Sequence, residues 1–302
     1  MSEESFVSAG LAPAAPAARS AQSLVAFDPT GVIAGAGSLT ESHFKSAQAL
    51  LQQIPDSLRL ATQTSSSAQA LMFALLCDDE PENSAKVLSV VRSALGDEIA
   101  NSATHLIENL ATLPHEAFLP LVQLSLPSLR TLDESATENL LAILDQAART
   151  DALISPLELA MIKVLTRSLR LARQPATRIE YYSFQAVADD IAVVLSSLAY
   201  VGTDKDDEAA ASLATGLAQL KLVESRVVLL KAEDCSLARL SQSLDRLAIS
   251  SLPIRKRLLV AAAHLIGADG TVTVEEAELY RAIAASIDCP MPLWESSPAP
   301  TG

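Results

Sequence analysis

The 302 residues carry 22 Lys plus Arg against 36 Asp plus Glu, and the resulting net charge of −14 repels a phosphate backbone, which argues against nucleic acid as a partner. Hydrophobic residues make up 49% of the chain but aromatic ones only 4%, so its core must come from Leu, Ala, Ile and Val, a composition that favours helices. Cys77, Cys235 and Cys289 lie far apart with no CxxC pair, which argues against a disulfide framework or zinc knuckle and fits three reduced, partly buried thiols.

The start, Met-Ser-Glu-Glu-Ser, has neither a basic nor an apolar leader segment, so no signal peptide is expected. Residues 1–38 are rich in Ala, Pro, Ser and Gly, with Pro13, Pro16, Gly31, Gly35 and Gly37, and read as a flexible tail or linker. From Thr40 onward apolar residues recur at three- and four-residue spacing, with Pro and Gly between the segments. The spacing predicts helices over 40–53, 66–77, 82–94 and 97–112, then two short pieces within 115–130, where Pro120 and Pro127 intervene. Further helices are predicted over 134–149, 156–172, 184–201, 205–220, 236–249, 254–267 and 274–287. Only Val227 to Leu230 offers a brief strand.

The fold class expected is therefore all-α. It comprises a helical domain over 39–175, a second over 176–292 and a flexible C-terminus over 293–302. The boundary falls near Pro175, where the apolar periodicity breaks between Arg173 and Ser183. The apolar runs Ile191 to Val201 and Leu258 to Ala268 stop short of the roughly 20 residues a membrane span needs. A soluble, cytoplasmic chain without a direct membrane span is the expectation.

One signature occurs twice. An apolar helix stops at Asp151 or Asp269, an apolar residue follows (Ile154, Val272), and Ser155 or Thr273 opens the next helix with Glu158 or Glu276 three places on. A hydroxyl at the N-cap and Glu at the third helical position satisfy two unpaired backbone N–H groups reciprocally, and Pro156 at a first helical position loses nothing. Gly270 supplies the positive φ of a tight turn. Asp269, Glu275, Glu276 and Glu278 also crowd one turn and could form a divalent-cation site. An EF-hand loop, however, needs Gly sixth and acidic ligands where Thr271 and Val272 stand. The run Asp204 to Glu208 is explained by the preference of anions for a helix N-terminus.

No catalytic constellation is legible. His115-Glu116 begins a zinc-peptidase motif, but Leu119 stands where the second ligand belongs, and His43, His105 and His264 are isolated. Neither a nucleophile elbow nor a phosphate-binding glycine loop is present, and no cofactor is expected.

The segment Ala261 to Pro292, containing Ala-Asp-Gly-Thr-Val-Thr-Val-Glu-Glu, resembles the closing helix pair of the TerB-like tellurite-resistance fold. More widely, "QALLQQIPDSLRLA", "ALMFALLCDD", "LPLVQLSLPSLRTL" and the terminal Cys289-Pro-Met-Pro292 are similar to the C-terminal region of HtpX-like membrane zinc metallopeptidases. The resemblance implies a non-catalytic regulatory or protein-interaction region, either a C-terminal fragment or a free-standing relative of such a peptidase. Its partner would be the membrane peptidase domain or another membrane protein, with an inner-membrane-associated location if joined to it. The parent would be a zinc metalloendopeptidase, but these residues lack its His-Glu-x-x-His helix, so no metal ligand or catalytic role carries over. The alternative implied is a stand-alone TerB-like adaptor in a membrane-associated stress response.

Overall fold

The computed structural model describes residues 25–26, 48, 51–77, 80–114, 117–148, 150, 156–171, 178–203, 205–221 and 226–289. The fold is all-α, apart from one two-residue strand pair. By contacts the chain divides into two compact units. One comprises 45–154 and 161–176, and the other comprises 1–44, 155–160 and 177–302.

In the first of these units the helices are α1 (Asp56–Ala61), α2 (Ser65–Ala74), α3 (Pro81–Leu95), α4 (Asp97–Leu110), α5 (Phe118–Leu129) and α6 (Glu134–Ala148), joined by the greater part of α7 (Pro156–Leu171). Thr64 caps α2 by accepting the N–H of Ser67 at 3.3 Å. The helix then buries Ala68, Ala70, Leu71, Met72, Phe73 and Ala74, an apolar girth that can only sit inside a bundle. It packs against α4, α5 and α6. Gly96, at φ 91, closes α3 and opens α4 in one residue, a backbone angle that favours glycine.

Two local expectations differ from the structure here. The first is that Asp56–Ala61 forms a helix of its own, started by Pro55 and Asp56, too short for apolar periodicity to reveal. The second is that Phe118–Leu129 is one helix rather than two pieces. Pro120 falls within its first turn, where the N–H has no helical partner to lose, and Pro127 gives up the one bond its N–H would make four residues back while the helix runs on to Leu129. The Ser128 hydroxyl donates to the Thr62 carbonyl at 2.7 Å and ties this helix to the end of α1.

The second unit is built around α8 (Ala188–Gly202), entered through a 3-10 turn at Phe184–Val187. Around α8 pack α9 (Asp206–Leu217), α10 (Leu237–Ala248), α11 (Leu252–Ile266) and α12 (Val274–Ser286). Nearly every residue of α8 from Ala188 to Ala199 is buried. With its 3-10 entry it forms a 19-residue segment long and apolar enough, by length and composition, to cross a membrane. Most of that segment is buried against its neighbours, as a core helix of this unit is. Val227 to Leu230 forms no strand; the Leu230 N–H instead bonds the buried Ser196 hydroxyl of α8 at 3.1 Å. The strands are β1 (Val25–Ala26) and β2 (Thr271–Val272), paired antiparallel. β1 falls inside the segment expected to be a tail.

One polar cluster fastens the segment around Tyr181, which precedes the 3-10 turn, to the core of this unit. Arg246 donates from Nε to Asp190 Oδ2 at 2.9 Å and from another nitrogen to the Tyr181 hydroxyl at 2.8 Å, with its guanidinium 4.6 Å from the centre of the Tyr181 ring. Asp190 is only 9% exposed, so this pair supplies the partner its buried charge requires. Backbone bonds from Glu180 to Ile249 and from Ser251 to Tyr181 hold the same segment to the start of α11.

Helices α9 and α11 approach closely at Gly216. A Cβ on Gly216 would lie 2.7 Å from the Ala261 carbonyl oxygen and 3.1 Å from Leu265 Cβ, so this site excludes every side chain. Gly216→Ala should therefore destabilise the chain by about 1–3 kcal/mol despite alanine's better helix propensity, because the obstacle is backbone. Urea unfolding checks this; equal midpoints for variant and parent would refute it.

Candidate functional site

A cleft of about 380 Å³ opens in the second unit where α8 and α11 end and α9 and α12 begin. Ala199, Ala211, Leu265 and Ile266 form its apolar floor, and Thr203, Glu208, Ser212, Thr215, Asp269 and Glu276 give it a polar wall. Thr203, Asp269 and Glu276 arrive by local rules of helix termination, while Ser212 and Thr215 project from within α9.

Helix α11 ends at Ile266, and the turn after it carries Gly270 at φ 82, an angle open to glycine and strained for other residues. Asp269 Oδ1 accepts the Thr271 N–H at 2.9 Å, fixing the turn from its own side chain. Thr273 then caps α12 in a capping box. Its hydroxyl accepts the Glu276 N–H at 3.2 Å, and Glu276 Oε2 accepts the Thr273 N–H at 2.8 Å and its hydroxyl at 3.0 Å.

Glu276 is only 9% exposed, and its other oxygen lies against the last residue of α8. A Cβ on Gly202 would fall 2.4 Å from Glu276 Oε1. A Cβ there and the carboxylate in its present place cannot both be accommodated.

Across the cleft, Glu208 accepts from Thr203 Oγ1 at 2.7 Å and from Lys205 Nζ at 2.6 Å, while the Tyr200 hydroxyl donates to Asp206 Oδ1 at 3.0 Å. Burial, followed by this bond to Asp206, pushes the Tyr200 hydroxyl up to about 12. Burial also pushes the Cys235 and Cys289 thiols up, so neither is poised as a thiolate nucleophile.

Of the residues singled out by sequence, Asp269 and Glu276 meet on the cleft wall, Gly270 shapes the turn beside them, and Thr273 lies exposed at the cap. The side chains of Glu275 and Glu278 lie outside the described residues, as do Asp151 and Ser155 of the first signature; Glu158 is half-buried on α7. Among the described residues no three His, Cys, Asp or Glu side chains are grouped to hold a metal ion. His105 is exposed on α4, His264 is half-buried on α11, and His43 and His115 lie outside the described residues.

Sequence reasoning missed Gly202, Thr203, Ser212 and Thr215. The available signal was Gly202-Thr203-Asp204, a helix stop followed by acids, whose proximity to Glu276 only the tertiary structure reveals. Both Glu208 and Glu276 hold local hydrogen-bond donors, so the wall is fixed in place, with carboxylate edges facing a small recess. Such an arrangement suits recognition of a cationic or hydrogen-bond-donating group better than proton transfer.

Comparison with known proteins finds no matching family model, no similar curated protein and no similar solved structure.

Gly202→Ala should push Glu276 out of its box and lower stability by about 1 kcal/mol, as should Thr273→Ala. Both changes break one device, so the double variant should lose at least about 0.5 kcal/mol less than the two single losses combined, as urea unfolding would measure. Strict additivity would separate Gly202 from the cap. Tyr200 has a second testable consequence. Its folded pKa lies above the ordinary value of 10.0, so its contribution to stability is complete below that value and is lost as pH rises through about 12. Tyr200→Phe should therefore show a shallower fall of Tm over this alkaline range than the parent, and identical slopes would refute the assignment.

Proposed function

We propose that this chain is a non-catalytic helical regulatory or protein-interaction region that works with a membrane-bound zinc metallopeptidase. The observation that carries the reading is the cleft at Gly202, Glu208, Asp269 and Glu276, a preorganised recess whose carboxylates are set by backbone and side-chain bonds. A chain of net charge −14 that presents such a recess suits a partner offering a Lys or Arg side chain. The resemblance of the whole helical region to the C-terminal part of HtpX-like peptidases supplies the partner class, the peptidase domain or another membrane protein.

The cleft lies within and beside the segment that resembles the TerB-like helix pair. This favours one second reading, a stand-alone TerB-like adaptor that uses the same recess on a different membrane protein.

Capture of a recombinant peptidase domain, encoded upstream or in a neighbouring gene, by the immobilised chain tests the proposal. The parent chain should bind it, and Ser212→Trp, which fills the recess, should weaken binding by at least about tenfold with the helical circular dichroism spectrum unchanged. Failure of the parent chain to bind would overturn the peptidase reading, and binding unaffected by Ser212→Trp would overturn the role of the cleft.

A further inference from the structure

The recess between α8, α9, α11 and α12 is sorted by hydrogen-bonding character. On its wall the Thr203 hydroxyl gives its proton to Glu208 at 2.7 Å, and the Thr215 hydroxyl gives its proton to the Ala211 carbonyl at 3.1 Å. With those protons committed, both hydroxyls have only acceptor capacity left to offer. The carboxylates of Glu208, Asp269 and Glu276 are acceptors too, and no Lys, Arg or His is among the described residues that line the recess. Its occupant must therefore bring donors and positive charge. The floor at Leu265 and Ile266 is apolar and favours an alkyl stem behind that charge.

The bonds already made on the wall choose between the two cationic side chains. A guanidinium binds best when two of its N–H groups meet both oxygens of one carboxylate side by side. Every carboxylate here has at least one oxygen engaged: Glu208 by Thr203 and Lys205, Asp269 by the Thr271 N–H, and Glu276 by Thr273. The acidic groups are also spread out, since among the described residues no three are gathered to hold a metal ion. An ammonium suits such a wall, because its three donors rotate and take single acceptors from separate groups.

We propose that the recess is a lysine pocket, with the side-chain stem of a partner's lysine on Leu265 and Ile266 and its ammonium among the acceptors of α9 and the Asp269 turn. This rests on the reading of the recess as a recognition site and narrows its ligand from any cation to a primary alkylammonium.

Titration of the full chain with Nα-acetyl-lysine amide, followed through the amide resonances of Thr203, Ser212 and Thr271, tests this. The lysine derivative should bind at least about fivefold more tightly than the matching arginine derivative and at least about tenfold more tightly than the norleucine one. Asp269→Asn keeps an acceptor for the Thr271 N–H while removing one charge, and it should weaken lysine binding by at least about threefold. Arginine binding as tightly as lysine, norleucine binding as tightly as lysine, or no saturable shift with lysine would each overturn the proposal. Capture of the peptidase domain is a separate readout. A domain captured through the recess while the lysine derivative fails would overturn the lysine pocket alone, whereas lysine binding without capture would overturn only the peptidase reading.

Discussion

The Glu276 carboxylate is the point on which the second unit's cleft depends. One oxygen closes the capping box at Thr273, and the other lies where any side chain at residue 202 would go. A single buried group thus joins the end of α8 to the start of α12. A buried carboxylate carries a desolvation cost, and here two donors on Thr273 offset it. The Asp269 turn and the β1–β2 pair both lie next to this junction along the chain, so the cleft wall is a chain of local backbone arrangements rather than a patch of independent side chains.

The rest of the unit keeps that junction in register. Helix α8 is buried along almost its whole length, and α9 meets α11 so closely at Gly216 that no Cβ fits between them. At the far end of α8, the bonds from Arg246 to Asp190 and Tyr181 hold the segment that leads into the unit. Tyr280 of α12 is fully buried and donates to the Leu259 carbonyl of α11 at 3.2 Å, a polar tether within an otherwise apolar contact. The unit that carries α2 follows the same pattern, with an apolar central helix enclosed by amphipathic ones.

The helical architecture was legible because its signals are local: apolar spacing, caps and the placement of Pro and Gly. The Thr-x-x-Glu spacing encodes the box at Thr273 and Glu276 directly, since both partners lie within one helical turn. The single helix across Pro127 was not legible, because an internal proline ordinarily ends or kinks a helix and nothing local shows that this one is tolerated. The cleft was half legible. Asp269 and Glu276 stand out in the sequence, but Gly202 and Thr203 come from a distant segment, and nothing local marks a glycine retained for a close approach rather than for a turn. The β1–β2 pair, only two residues long, leaves no periodicity to detect.

In functional terms, two of the carboxylates that first suggest a metal site, Asp269 and Glu276, are used by the backbone, and what they leave is a shaped recess. The central claim, that Glu276 serves as a structural cap, is tested most directly by comparing the unfolding free energies of Glu276→Gln and Glu276→Ala. Glutamine can occupy the same place in a capping box, so Glu276→Gln should stay within about 0.5 kcal/mol of the parent, while Glu276→Ala should lose at least about 1 kcal/mol. A Glu276→Ala chain as stable as the parent would contradict the account.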